Sequence, residues 1–441
     1  MSVDRRKIAV FGAAFMLRLL LTCLFPSLPD LLTGRVEVST PVNSFKRLQE
    51  GLFLYTRNVS PYDGGVFHQA PLLLPLFALL PDAKSWPLPT AIFYFLVDLL
   101  NAYALVTISA SGQSVKSRLH SAVRKHVRWD GVSVAAWYAY SGFLNYTYLL
   151  TYHGDRFLFN PLTIATCLAR ATSVFTTSGI LFAVSNAVGG NSINAMLALG
   201  FASYLSLYPA LLFIPLVLVC YDRRSEGPNP PNVGSFIARH ATLLLASVAG
   251  LLGLSCLITG NFWEFVSATY GFHLLVPDLT PNVGLWWYFF IEMFDSFREF
   301  FLGVFWLHLA SYVGGLTTRF RRQPLFIITA LLGVFAIFKP YPSISDASLF
   351  FALLPLYRHL FPLMRYTFFA GSAILYSSLL GPAFYHLWIY AGSGNANFFY
   401  AITLVWSLGL SILLADTVFA ALRDEWEQEH PERVGTEVRQ V

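Results

Sequence analysis

Apolar residues run through this chain in blocks of roughly 20, long enough to cross a bilayer as helices, and short polar stretches separate the blocks. The pattern predicts spans near 8–28, 89–111, 131–152, 172–189, 193–206, 209–221, 237–259, 299–316, 324–338, 347–363, 366–384 and 398–421, twelve in all. Basic clusters fall between the blocks: Arg5, Arg6 and Lys7; then Lys116, Arg118, Arg124, Lys125 and Arg128; then Arg223 and Arg224; then Arg319, Arg321 and Arg322; then Arg358 and Arg365. Positive charge is retained on the cytoplasmic side, so each cluster marks a cytoplasmic turn and both termini are expected there. The opposite face then carries 29–70, about 153–170, 260–298, 339–346 and 385–397. The proline-bounded "PLLLPLFALLP", 71–81, is too short to cross and reads as a re-entrant or interfacial helix.

Composition agrees with a many-spanning membrane protein. Hydrophobic residues make up 56% of the 441 residues and charged residues only 12%, with 40 Phe and 22 Tyr. So few charges could not cover so much apolar surface in water. The net charge of +5 follows the cytoplasmic turns and does not suggest nucleic-acid binding. The basic start and long apolar run of the first segment, with no small-residue cleavage signal, read as a retained signal anchor. The expected organisation is a helical membrane domain over 1–422, a flexible linker at 225–234, and a solvated, disordered tail over 423–441.

Candidate chemistry is sparse. Cys23, Cys167, Cys220 and Cys256 lie in or beside apolar stretches with no metal-ligand spacing, so no disulfide, zinc site or catalytic thiol is expected, and no cofactor. Arg18, Asp98 and Asp416 are charges within spans whose cost demands partners, and an Arg18–Asp98 pair is the expected solution. In the first outer loop, Phe45, Leu48 and Leu52 form one face of a short amphipathic helix on the membrane. Asn58 opens a glycosylation sequon weakened by Pro61. Pro277, Asp278, Thr280, Pro281 and Asn282 impose a turn, followed by Trp286, Trp287 and Tyr288, which favour the headgroup layer. This segment is either a structural loop or a wall of a lipid-glycan groove. Lys339 and Asp346 sit on the same face.

The most unusual stretch is "HLWIYAGSGNANFFYAITL", 386–404, where small and amide residues interrupt an apolar run. His386, Trp388 and Tyr390 approach it, and Ser393, Gly394, Asn395 and Asn397 form it. Gly392 and Gly394 allow a turn and close approach, while the amides supply donors and acceptors. Alternatively the amides cap the next helix, with Asn397 as an ordinary N-cap.

Two resemblances follow from these motifs. "SPY…FHQAPLL" in the first loop resembles lumenal glycosyltransferases of the GT-C type that build glycosylphosphatidylinositol (GPI) anchors. Those enzymes carry paired acids where this chain has Glu37 alone, so the paired-acid chemistry is absent. Together, "YGFHLLVPDLTPNVGLWWYFF", "FKPYPSISD" and the 386–404 stretch resemble the PIG-U family of the GPI transamidase, from about Arg35 to Asp424. "SGFLNYTYLLTYHGDRFL", 141–158, looks like an insertion relative to that family. The resemblance implies an endoplasmic-reticulum membrane protein with a noncatalytic, GT-C-like helical body. It would bind the GPI lipid through the 386–397 notch and the Asp278–Trp287 segment. Its partners would be a caspase-like cysteine protease subunit (PIG-K), PIG-T, PIG-S and the GPI anchor attachment subunit. An active mannosyltransferase using Glu37 is the alternative, and a transporter using Asp98 and Arg18 is a third reading.

Overall fold

A computed structural model describes residues 5–115, 160–227, 230–260 and 262–436. The expected span at 131–152, the basic cluster at 116–128 and the inserted 141–158 segment lie outside the described residues. Among the described residues there is no strand, and helices α1 (Arg5–Leu24), α5 (Pro87–Ala110), α10 (Val233–Ile258), α12 (Asp295–Arg319), α15 (Thr367–Ile389) and α16 (Ala396–Glu429) are long and apolar enough to span a membrane. Between them come α2 (Leu28–Thr33), α3 (Phe45–Thr56), α4 (Leu73–Ala78), α6 (Pro161–Leu168), α7 (Ser173–Val188), α8 (Ser192–Leu205), α9 (Phe213–Ser225), α11 (Trp286–Ile291), α13 (Pro324–Phe338) and α14 (Ile344–Leu353). The chain is thus an all-α polytopic membrane protein. Eleven of the twelve expected spans coincide with helices or with a helix continued by a 3₁₀ segment, as at 344–363.

Local chemistry fixes the helix ends. Asn160 caps α6 by accepting from the N–H groups of Leu162 and Thr163, and Pro161 follows at the position where no donor is needed. Ser343 and Asp346 form a capping box on α14. Small residues let helices touch: a side chain at Gly179 would meet Ala202 at 2.8 Å, and one at Gly409 would meet Ile374 at 2.6 Å. Helix α13 is apolar all round and buried along nearly its whole length, which places it at the centre of the body.

The charges within spans are satisfied. Arg18 reaches Asp98 at 2.6 Å with both side chains buried. Asp416 accepts from the backbone N–H groups of Arg365 and Tyr366, closing the start of α15. Two expectations need correction. Helix α3 turns Phe45 and Leu48 onto Phe77 and Tyr94 of the protein instead of resting them on lipid. The first part of the expected disordered tail is helical, because α16 continues to Glu429 with Arg423, Asp424, Glu425 and Glu427 buried. Arg423 pairs with Glu427, and Glu425 accepts from Arg319 and Gln323, so the charges that suggested solvation are used in packing.

The two predicted faces are two ends of the body. Among the described residues, the basic turn at 319–322 meets the end of α9 and the end of α16 through Arg321–Asp222 and Arg319–Glu425, at one end of the body. The other loops meet at the opposite end, called here the loop end. Helix α1 delivers the chain there, since Thr33 donates to the Ala169 carbonyl and Arg170 pairs with Asp30. The start of α1 and the end of α16 therefore share the basic end.

Candidate functional site

Four separated segments interlock at the loop end. The Ile344 N–H donates to the Glu37 carbonyl, and Asn43 donates to Ser343. Arg47 of α3 pairs with Asp278 at 3.0 Å, and His68 lies flat on Phe272 while its Nδ1 meets the Ala268 carbonyl. Tyr341 donates to the Asp278 carbonyl, and Trp286 donates to that of Phe338. Partial burial raises the pKa of the Asp278 carboxyl, but hydrogen bonds from Thr280 and Arg47 outweigh it and hold the group below the usual carboxylate range. Loss of water lowers the pKa of His68, which stays neutral.

The 392–397 notch closes α15 against α16. Gly392 takes φ +63°, a left-handed conformation, and the N–H groups of Ser393 and Gly394 both donate to the Leu387 carbonyl. A side chain at Gly394 would sit 3.1 Å from the Trp388 nitrogen, so close backbone return accounts for that glycine. Asn395, not Asn397, is the cap of α16: its side-chain oxygen accepts from the Phe398 N–H at 3.2 Å. The Asn397 oxygen accepts from the Tyr288 hydroxyl. Ser393, Asn395 and Asn397 are exposed, as are His386 and Tyr390, while Trp388 is half-buried. Among the described residues the side-chain NH₂ groups of both asparagines are left without a protein acceptor.

The other expected site residues divide differently. Trp286 and Trp287 are each 1% exposed and do not line a ligand groove; Trp286 packs on Phe305 and Trp306, and Trp287 on Trp388, Phe399 and Tyr400. Trp287 thus supports the notch through Trp388 and Phe399, while Trp286 anchors α11 on α12. Asn282 is likewise buried, tying the turn through Gly284 and Thr280. Asp278 contacts Arg47, Thr280 and Tyr341 and is not brought against the 386–397 segment.

Two residues that the sequence did not place at the notch lie beside it. Tyr288 holds Asn397, and Arg35 lies over the Tyr385 ring while pairing with Glu37 at 2.9 Å. Arg35 is separated from Tyr385 by 350 positions of sequence, and no local signal joins them.

The geometry defines a helical membrane protein that gathers an exposed amide surface, an aromatic support and one arginine at its loop end, with no metal-ligating cluster among the described residues. A family model described as GPI transamidase subunit PIG-U matches residues 12–406. The chain belongs to the PIG-U family of GPI transamidase subunits. It is 35% identical to the human GPI-anchor transamidase component PIGU over 422 residues, covering 92% of this chain and 91% of that protein. It is 32% identical to the GPI transamidase component GAB1 of Saccharomyces cerevisiae over 441 residues, covering 97% and 98%. The GAB1 homolog of Schizosaccharomyces pombe is 33% identical over 413 residues, covering 93% of each.

Proposed function

We propose that this chain is a noncatalytic subunit of the GPI transamidase, in the endoplasmic-reticulum membrane, that binds and orients the GPI lipid so that its glycan and terminal ethanolamine meet a separate catalytic subunit. The observation that carries this reading is the notch. Two exposed carboxamides spend their oxygens on protein groups, and their NH₂ groups have no acceptor among the described residues. NH₂ groups fixed by their own oxygens are preorganised donors for phosphate or sugar hydroxyls. The loop end faces the lumen and the basic end, with both termini, faces the cytosol, in keeping with the positive-inside bias. The acyl-enzyme chemistry then belongs to the caspase-like cysteine protease subunit, with PIG-T, PIG-S and the GPI anchor attachment subunit completing the complex.

The mannosyltransferase alternative has no support. Its single acid, Glu37, is held by Arg35, and the relatives are named as transamidase components.

A photo-crosslinking residue at Ser393 in the assembled complex should capture a radiolabelled GPI lipid, and one at the exposed Ser235, at the basic end, should not. Equal capture at both positions, or none at Ser393 with the complex intact, would refute lipid binding at the notch.

A further inference from the structure

Beneath the first loop lies a cavity of about 60 Å³ open to the centres of water molecules, lined by Asn43, Gln69, Thr177, His273, Lys339 and Asp346, with Tyr341 and Ser345 beside them. Two of its polar groups are almost completely buried and unsatisfied. The Gln69 side chain, 2% exposed, donates to the Ser44 carbonyl but leaves its oxygen without a donor. His273, 3% exposed, leaves Nδ1 without a partner. Buried polar atoms are nearly always bonded, to protein or to ordered water. Both atoms therefore call for a polar partner in this space.

Size and charge decide which. Each water needs roughly 10–15 Å³ by this measure, so the cavity holds about four to six. An anion finds no unneutralised partner, because Lys339 and Asp346 face each other at 2.6 Å. His273, whose pKa burial pushes down to about 3, adds no charge near neutral pH.

A second cavity of about 10 Å³, room for one water, is lined by Asp98, Thr163, Thr166, Val174 and Ser348. It shares Thr177, Ser345 and Leu349 with the first. Its wall is a polar seam in which Asn160 donates to Thr163 and Ser348, and the Thr163 and Ser348 hydroxyls meet at 2.6 Å.

We propose that the two cavities form one hydration site: a water cluster under the first loop, continued past Thr177 and Ser345 by a single water that reaches Asp98. The buried Arg18–Asp98 pair is then solvated from the loop end, and α6, α7 and α14 are joined in part through water. This site is distinct from the notch and independent of GPI binding.

Radiolytic footprinting of the purified complex in ¹⁸O-water tests this, because ionised bound water oxidises the side chains beside it. Tyr341 and His273 line only the first cavity, Val174 only the second, and Leu331 is 0% exposed in the apolar core. With each rate divided by the intrinsic reactivity of its residue type towards hydroxyl radical, Tyr341, His273 and Val174 in the native complex should incorporate label several-fold faster than Leu331, a dry reference. In Ser345→Val, which narrows the passage, label at Val174 should fall to the Leu331 level while Tyr341 and His273 keep theirs. Native rates equal to that of Leu331 would show dry cavities, and label at Tyr341 without Val174 would remove the continuation to Asp98. Either result overturns the proposal. If Ser345→Val fails to assemble, the native rates decide alone.

Discussion

Removing the NH₂ groups of the notch while preserving what their oxygens do separates ligand contact from architecture. Asn395→Ser retains a hydroxyl acceptor for the Phe398 N–H, so the α16 cap survives, whereas Asn395→Ala should cost about 0.5–2 kcal/mol of helix stability. Asn397→Asp retains an acceptor for Tyr288, loses the NH₂ group and adds a negative charge. A donor to a sugar hydroxyl contributes about 0.5–1.5 kcal/mol, and one to a phosphate about 1.5–3. With tenfold per 1.4 kcal/mol, each lost donor should weaken lipid engagement roughly 2–10-fold against sugar and 10–100-fold against phosphate. The added charge at 397 should deepen the phosphate case and change the sugar case little. GPI attachment to a reporter protein, measured at limiting lipid together with co-purification of the complex, reads both quantities. The double variant Asn395→Ser/Asn397→Asp is expected to assemble normally and to attach poorly. Normal attachment would refute the reasoning, and loss of assembly alongside attachment would make the notch a structural hinge.

Three further outcomes are expected. Replacing Cys23, Cys167, Cys220 and Cys256 by Ala or Ser should leave attachment intact, since Cys167, Cys220 and Cys256 are buried and the exposed Cys23 lies at the end of an apolar helix; loss of the chemical step with assembly preserved would show that a thiol here takes part. In that Cys-free background, cysteines at Ser235 and Ser393, both exposed, should react with an impermeant reagent from opposite sides of sealed microsomes, and same-side labelling would contradict the two-ended body. Burial, with Lys339 and His68 nearby, lowers the His273 pKa to about 3 from an ordinary value near 6.5, so the unfolded chain takes the proton first. The stability of the purified complex should therefore be level above about pH 6.5 and fall below it, by at most about 1.4 kcal/mol per pH unit from this group, and His273→Gln should flatten that slope; an unchanged slope in the variant would refute the assignment.

How much of this was legible in the sequence differs by level. Hydrophobic blocks and basic turns sufficed for the helices and for the sorting of loops to two ends, because both follow from the bilayer acting on each segment separately. The Arg18–Asp98 pair was equally accessible, since the cost of a charge in hydrocarbon names its own remedy. The tail was misread because Arg423, Asp424, Glu425 and Glu427 look solvated until Arg319 and Gln323, about a hundred positions earlier, are seen beside them. Trp286 and Trp287 were placed at the headgroup layer by a tendency of their residue type, whereas the fold turns α11 inward and uses them as packing.

The notch shows why a short motif can be recognised before its parts are assigned. Gly392, Gly394 and Asn395 are explained by the chain itself: a left-handed turn, a backbone return on Trp388 and a helix cap. Those roles would satisfy any helical hairpin, and they account for the glycines without a ligand. They do not account for Asn397, whose oxygen is drawn to Tyr288 of α11, more than a hundred positions away, or for two exposed carboxamides beside a cluster of aromatic rings. A simple hairpin needs neither. Under the proposed lipid-binding role, the ligand contacts of the motif would fall to Asn397 and the NH₂ group of Asn395, while the glycines and the cap hold those groups in place.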